Sequence, residues 1–197
     1  MTHDAFYDLM AMLDSPALAV TTQADGRPAG CLVGFATQTS VYPPSFMLGL
    51  ARGSETAEVA ARSEYLAVHV LPQGQQPLAE LFGGPASGAD KFARCSWRAG
   101  PCGMPILDES AAWFVGRTVS RSDVGDYIAY LLEPVSAWAP ENPAELLYRF
   151  DLDIDIDGPD DGGDVPSGHQ APNAFHERQR VDPTRRYGVP RFTLDFP

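Results

Sequence analysis

The order of apolar and polar residues in this 197-residue chain predicts a mainly antiparallel β fold, a barrel or sandwich with a few helical insertions. Three observations carry that prediction. Seven short β-rich segments recur, most of them bounded by Gly, Pro, Asp or Ser; only three stretches have helical spacing; and neither G-x-G-x-x-G nor G-x-x-x-x-G-K-[ST] occurs, which argues against a doubly wound nucleotide-binding sheet.

The chain opens with a predicted helix in which Phe6, Leu9, Met10 and Leu13 share a face behind Thr2 as N-cap. Strands are expected at Ala17 to Thr22, Ala29 to Thr37, Ser45 to Ala51, Tyr65 to Leu71, Ala111 to Val119, Tyr127 to Val135 and Glu145 to Ile156. Asp25-Gly26 marks a tight hairpin between the first two. Ser54 can cap a helix reaching to about Arg62, and Pro77 to Phe82 can form a short one. His69, inside an apolar strand, reads as a hydrogen-bonded core residue.

Charge narrows the partners. With 14 Lys+Arg against 26 Asp+Glu, the net charge of -12 repels nucleic acid and anionic lipid. No apolar run approaches the roughly 18 residues that cross a bilayer, and Met1-Thr2-His3-Asp4 lacks a basic leader, so a soluble cytoplasmic protein is expected. Cys31, Cys95 and Cys102 are odd in number, and the one close pair has no histidine nearby; reduced thiols and no metal are the expectation.

Residues 151–164 carry seven Asp and no base, amid a crowd of Gly and Pro that continues to Pro172. Such a composition cannot form a core, so residues 1–157 read as the domain and 158–197 as a tail, partly disordered or docked on a partner subunit. From Asp153 to Asp164 the carboxylates fall at the spacing of an EF-hand loop, but position 8 is Asp160, position 12 is not Glu, and no amphipathic helix flanks it. A strand with a solvated acidic face is the preferred reading there.

Two segments carry candidate chemistry. Thr37-Gln38-Thr39-Ser40, followed by Pro43-Pro44, offers short polar side chains and backbone donors to a planar, hydrogen-bonding ligand; the same residues also suit an ordinary strand end. Ala51-Arg52-Gly53-Ser54-Glu55-Thr56 runs from a strand into a helix start, where amides, hydroxyls and a guanidinium suit a phosphate, or where a helix is simply capped. Lys91, the only lysine, stands beside Phe92 after the run Gly83 to Gly88; on a mobile loop the pair could close over a phosphate or the face of a planar ligand, or Lys91 could be solvated.

Taken in order with Leu66 to Leu71, Asp90-Lys91-Phe92 and Gly125-Asp126, these segments resemble the flavin reductase-like family of FMN-binding split-barrel proteins, over roughly Leu13 to Phe150. The resemblance implies an antiparallel, Greek-key type split β-barrel that binds FMN, or FAD, with NAD(P)H as co-substrate. It implies an NAD(P)H:flavin reductase, a homodimer with flavin near its interface, that feeds reduced flavin to a monooxygenase. By position it places Thr37, Gln38, Thr39 and Ser40 along the isoalloxazine and ribityl chain, and Ala51, Arg52, Ser54 and Thr56 at the phosphate. Asp126 and Tyr127 fall on the nicotinamide side, where relatives carry Gly-Asp-His; a tyrosine stacks and donates but does not titrate near neutrality. A flavin-dependent oxidase or oxygenase and a non-catalytic flavin-binding protein are the alternatives. No catalytic side chain is expected, because the flavin carries the hydride chemistry.

Overall fold

The computed structural model describes residues 5–6, 9–10, 12–142 and 144–152, all within one compact unit that runs from Met1 to Asp161. The proposed cap Thr2, the acidic run from Asp153 and the tail lie outside the described residues. Residues 5–6 and 9–10 are helical, as the spacing of Phe6 and Leu9 predicts.

Among the described residues nine strands form, β1 (Leu18–Ala24), β2 (Arg27–Val33), β3 (Ala36–Ser40), β4 (Ser45–Ala51), β5 (Tyr65–Val70), β6 (Trp97–Ala99), β7 (Pro105–Leu107), β8 (Ala112–Val124) and β9 (Tyr127–Trp138). Besides helical residues 5–6 and 9–10, three short helices accompany them among the described residues, α1 (Glu55–Ala60), α2 (Gln76–Gly83) and α3 (Gly88–Ala93). Seven strands make one sheet in the order β2-β1-β5-β8-β9-β4-β3, every neighbouring pair antiparallel, and β6 pairs with β7 separately. The mainly β, antiparallel expectation is borne out.

The two edge strands, β2 and β3, are consecutive in the chain and joined only by Gly34 and Phe35. Such a link spans roughly 10 Å at most, so the sheet curls until its edges lie close without pairing. Val20 of β1, Val33 of β2, Leu48 and Leu50 of β4, Leu66 and Val68 of β5, and Tyr130 and Leu132 of β9 accordingly share one interior. Ala57 and Ala60 of α1 plug it. The curl needs local irregularity, which the register supplies as shifts at Val115/Gly116 and Thr118/Ser120 in β8. Gly116 is required there, since a Cβ would come within 2.8 Å of Leu132 Cβ.

Two outer clusters cover the sheet. Leu78, Ala79 and Phe82 of α2 and Phe92 of α3 bury Ala17, Ala19 and Leu32, while Met104 and Ile106 cover Ala67 and Val115. Asp25 and Gly26 both have positive φ, 54° and 73°, as a two-residue type I′ hairpin requires.

Three expectations need correction. The single strand read from Ala29 to Thr37 breaks at Gly34–Phe35, because its halves serve opposite edges of the sheet. The segment from Glu145 is not a strand through Leu152. Leu146 and Tyr148 make isolated bridges to Pro72 and Pro16, prolines that cannot donate to a ladder, and Arg149–Asp151 turns into a 3-10 helix. The run after Gly83 leads into α3, whose N-cap Ser87 accepts from the Asp90 amide, rather than forming an extended mobile loop.

Candidate functional site

Cross-strand pairing sets which residues share a face. Thr37, Met47, Leu131 and Ser120 form one row across β3-β4-β9-β8, Gly49, Ala129 and Ser122 a second, and Ala51, Tyr127 and Val124 a third. These rows face away from the interior that Leu48, Leu50, Tyr130 and Leu132 fill. The middle row has only small side chains, so it is a flat floor. Over it lean Phe35 and Tyr127, whose rings meet edge to face at 4.8 Å and 89°. A Cβ on Gly49 would lie 3.4 Å from Tyr127 Cδ1 and 3.6 Å from Phe35 Cβ.

Along the edge of this floor Thr37, Gln38 and Thr39 are exposed and Ser40 is half-buried. Thr39 and Ser45 share a 2.7 Å hydroxyl contact, and Gln38 Nε2 donates to the Ser40 carbonyl at 3.0 Å, so the segment is held extended by its own side chains. From Met47, opposite Thr37, β4 runs four residues to Ala51, roughly 13 Å.

At that end the chain turns into α1. Ser54 Oγ accepts from the Ala57 amide at 3.2 Å, which leaves the Glu55 and Thr56 amides beyond the reach of any intrahelical carbonyl. Arg52 does not point along the floor. Its Nε donates to the Gly125 carbonyl at 2.8 Å, its Nη2 lies 3.0 Å from Asp123, and its amide donates to the Asp126 carbonyl at 2.9 Å. The β8–β9 turn, Gly125-Asp126, is thereby fastened to the loop after β4. Gly125 is needed for its φ of 55°, the positive first position of a two-residue hairpin turn.

The other nominated residues lie elsewhere. Lys91 belongs to α3 and is buried; its Nζ donates to the carbonyls of Gly30 at 3.3 Å and Phe82 at 3.1 Å, and burial pushes its pKa down. Phe92 is buried between Phe82 and Trp97, edge to face with both. Neither can close over a ligand on the outer face, because both side chains are committed to the packing beneath α2 and α3. Thr56 is buried as well and its hydroxyl contacts the Cys31 thiol, whose pKa burial raises. Glu55 accepts from Arg27 at 2.5 Å and from the Gly88 amide at 2.7 Å, and the amide above all lowers its pKa.

Sequence reasoning missed Phe35. Its signal was present, an apolar aromatic directly after Gly34, but a strand continuing through Val33 to Thr37 would have hidden it among alternating residues. Among the described residues no group of three His, Cys, Asp or Glu side chains could hold a metal ion. The arrangement suits a long ligand with a flat, hydrogen-bonding end over Gly49 and Ala129 and an anionic end at Ser54.

The fold and this surface define a class: an antiparallel, incompletely zipped barrel whose outer face runs from a polar edge strand to a capped helix start. The family model described as a flavin reductase like domain matches residues 10–151, and the chain belongs to that family, as the sequence resemblance implied. The FMN reductase (NADH) RutF of Enterobacter cloacae is 29% identical over 143 residues, 73% of this chain and 87% of that protein. The protein of the same name from Pseudomonas syringae pv. syringae is 32% identical over 145 residues, 73% of this chain and 81% of its own length. The crystal structure of nitrilotriacetate monooxygenase component B from Mycobacterium thermoresistibile superposes with a TM-score of 0.68 at 24% identity, covering 75% of this chain and 82% of that one. That likeness shows the fold.

Proposed function

We propose that the chain is an NADH-dependent FMN reductase whose product, reduced flavin, is consumed by a separate monooxygenase. The observation that carries the reading is the single outer surface joining the exposed polar residues of β3 to the Ser54 helix start, in a chain of the flavin reductase-like family. Relatives named as NADH-dependent FMN reductases support FMN and NADH, and the monooxygenase component among the structural neighbours supports the flavin-consuming partner.

Thr37, Gln38, Thr39 and Ser40 hold the isoalloxazine edge and ribityl chain. Ser54 and the first amides of α1 hold the phosphate, with Thr56 contributing its amide because its hydroxyl faces Cys31. When bound, the flavin supplies the two-electron acceptor. The chain's own residues bind, align and exclude water: the Gly49–Ala129 floor admits a flat ring, and Phe35 and Tyr127 form its wall on the nicotinamide side, next to Asp126. Alignment of two rings, not proton transfer by a side chain, is what the site contributes.

The same face leaves Phe35 58%, Met47 40% and Val124 58% exposed, which supports a homodimer with this surface near its interface. Sedimentation at micromolar concentration is expected to give twice the chain mass, and a monomer that retains FMN would exclude the dimer. Three unpaired cysteines fit a reducing compartment, the cytoplasm. No described helix is long and apolar enough to cross a membrane. The family match ends at residue 151, which supports reading residues 158–197 as sequence beyond the flavin-binding domain.

Steady-state turnover tests the function. The purified chain with added FMN is expected to oxidise NADH. A protein that binds FMN but is inert to NADH and NADPH is instead an oxidase, an oxygenase or a non-catalytic flavin binder.

A further inference from the structure

Arg52 stands where the sequence pattern nominates a phosphate ligand, yet every polar contact of its guanidinium described above goes to the β8–β9 hairpin. We infer that Arg52 is a positioning residue, one that fixes the Gly125-Asp126 turn, and through it Tyr127, at a set distance from the loop opening α1. The inference rests on the flavin reductase reading and assigns within it a residue that governs hydride transfer rather than flavin affinity.

Three contacts of different kinds converge. The Arg52 amide bond to the Asp126 carbonyl, 2.9 Å, extends the β4–β9 ladder one step beyond the Ala51–Tyr127 pair. The Nε bond to the Gly125 carbonyl, 2.8 Å, holds the turn residue whose φ is positive. The Nη2 contact with Asp123, 3.0 Å, reaches the strand on the far side of the turn. Arg52 therefore grips residues 123, 125 and 126, the β8 limb and both residues of the turn. The ion pair is exposed on both sides and contributes little alone; the planar fork matters because it spans a carbonyl and a carboxylate together.

Without that grip the turn has few anchors. Asp123, Val124 and Asp126 are exposed, a side chain at Gly125 would meet nothing within 4 Å, and no helix among the described residues covers the turn. Tyr127 is the first residue past it and the wall of the floor over Gly49. Its ring is thus placed by Phe35 on one side and by the Arg52-held turn on the other. A lysine at position 52 has one ammonium and can satisfy the carbonyl or the carboxylate, not the pair in the same geometry.

The test compares wild type, Arg52→Ala, Arg52→Lys and Asp123→Asn. In the flavin-free chain, hydrogen exchange across residues 123–127 is expected to rise by about tenfold in Arg52→Ala, the loss of one charge-assisted hydrogen bond, with Arg52→Lys and Asp123→Asn in between. In the FMN-loaded chain, anaerobic reduction by NADH is expected to slow by about tenfold in Arg52→Ala, with partial recovery in Arg52→Lys, while FMN and riboflavin affinities change by less than about threefold. FMN affinity falling while riboflavin affinity holds would make Arg52 a phosphate ligand and overturn the inference. Unchanged exchange and unchanged reduction would overturn it too. Should Arg52→Ala fail to fold, Arg52→Lys, which keeps the charge and the backbone bond to Asp126 but not the planar fork, decides by the same readings. A wild type that NADH does not reduce would refute the reductase reading itself, a result the exchange arm separates from failure of the grip.

Discussion

His69 belongs to β5, yet it also bonds β1 and β7. The Leu107 amide donates to Nε2 at 3.2 Å, which fixes Nε2 as acceptor and makes Nδ1 the donor to the Ala19 carbonyl, also at 3.2 Å. A proton on Nε2 would break the first bond inside a dry core, and burial pushes the His69 pKa down to about 4. An unfolded histidine titrates at about 6.5, so between the two values the unfolded chain binds more protons. The stability from His69 is therefore complete above about pH 6.5 and is lost as pH falls toward 4, on the order of 3 kcal/mol in all. Urea midpoints of wild type and His69→Gln at a series of pH values measure this. Wild type should lose stability more steeply than the variant across that window, and parallel profiles would refute it. The core role of His69 was legible from its apolar neighbours. The burial of Lys91 was not, because its partners, the carbonyls of Gly30 and Phe82, are 61 and 9 residues away, and only the fold brings them to one ammonium. The four polar residues of β3 and the Ser54 cap were legible because each declares itself locally, by residue type beside a strand or a helix start.

Among the elements, α1 shows how a six-residue helix persists where isolated helices of that length do not. Ser54 accepts one amide of its first turn, Ala57, Val59 and Ala60 are buried, and Arg121 serves its far end by donating to the Ala61 carbonyl at 2.8 Å and the Ser63 carbonyl at 2.9 Å. The same guanidinium lies 5.3 Å from the centre of the buried Tyr130 ring. Arg121→Ala is accordingly expected to lower stability by about 1–3 kcal/mol, from two carbonyl bonds and a cation–π contact, and to speed amide exchange at residues 61–63. Stability and exchange both unchanged in urea titration and hydrogen exchange would count against this account of the helix end. The Ser54 half of α1 could be read from sequence, and the Arg121 half could not, since it depends on the β8 bulge at Thr118/Ser120. Strand boundaries failed for a related reason. Val33 to Thr37 reads as uninterrupted β sequence, and only the closure of the sheet demands that the chain change edges at Gly34.

For the whole molecule, a curled seven-stranded sheet presents a flat strip on its outer surface while its inner surface is filled by Leu48, Leu50, Tyr130 and Leu132. Rigid strands set the floor and the polar edge, and a hairpin clasped by Arg52 sets the wall, so the molecule can hold a ring system on strands and align a second ring against it. That division explains why an acid–base dyad or nucleophile was not needed to recognise the family. NADH is expected to reduce FMN held on this surface. The most direct measurement is the anaerobic stopped-flow reaction of the FMN-loaded chain with NADH, followed by loss of the yellow flavin absorbance. Bleaching in a single binding-dependent phase, fast enough to account for steady-state turnover, is the predicted result; FMN that stays bound and oxidised in the presence of NADH would contradict it.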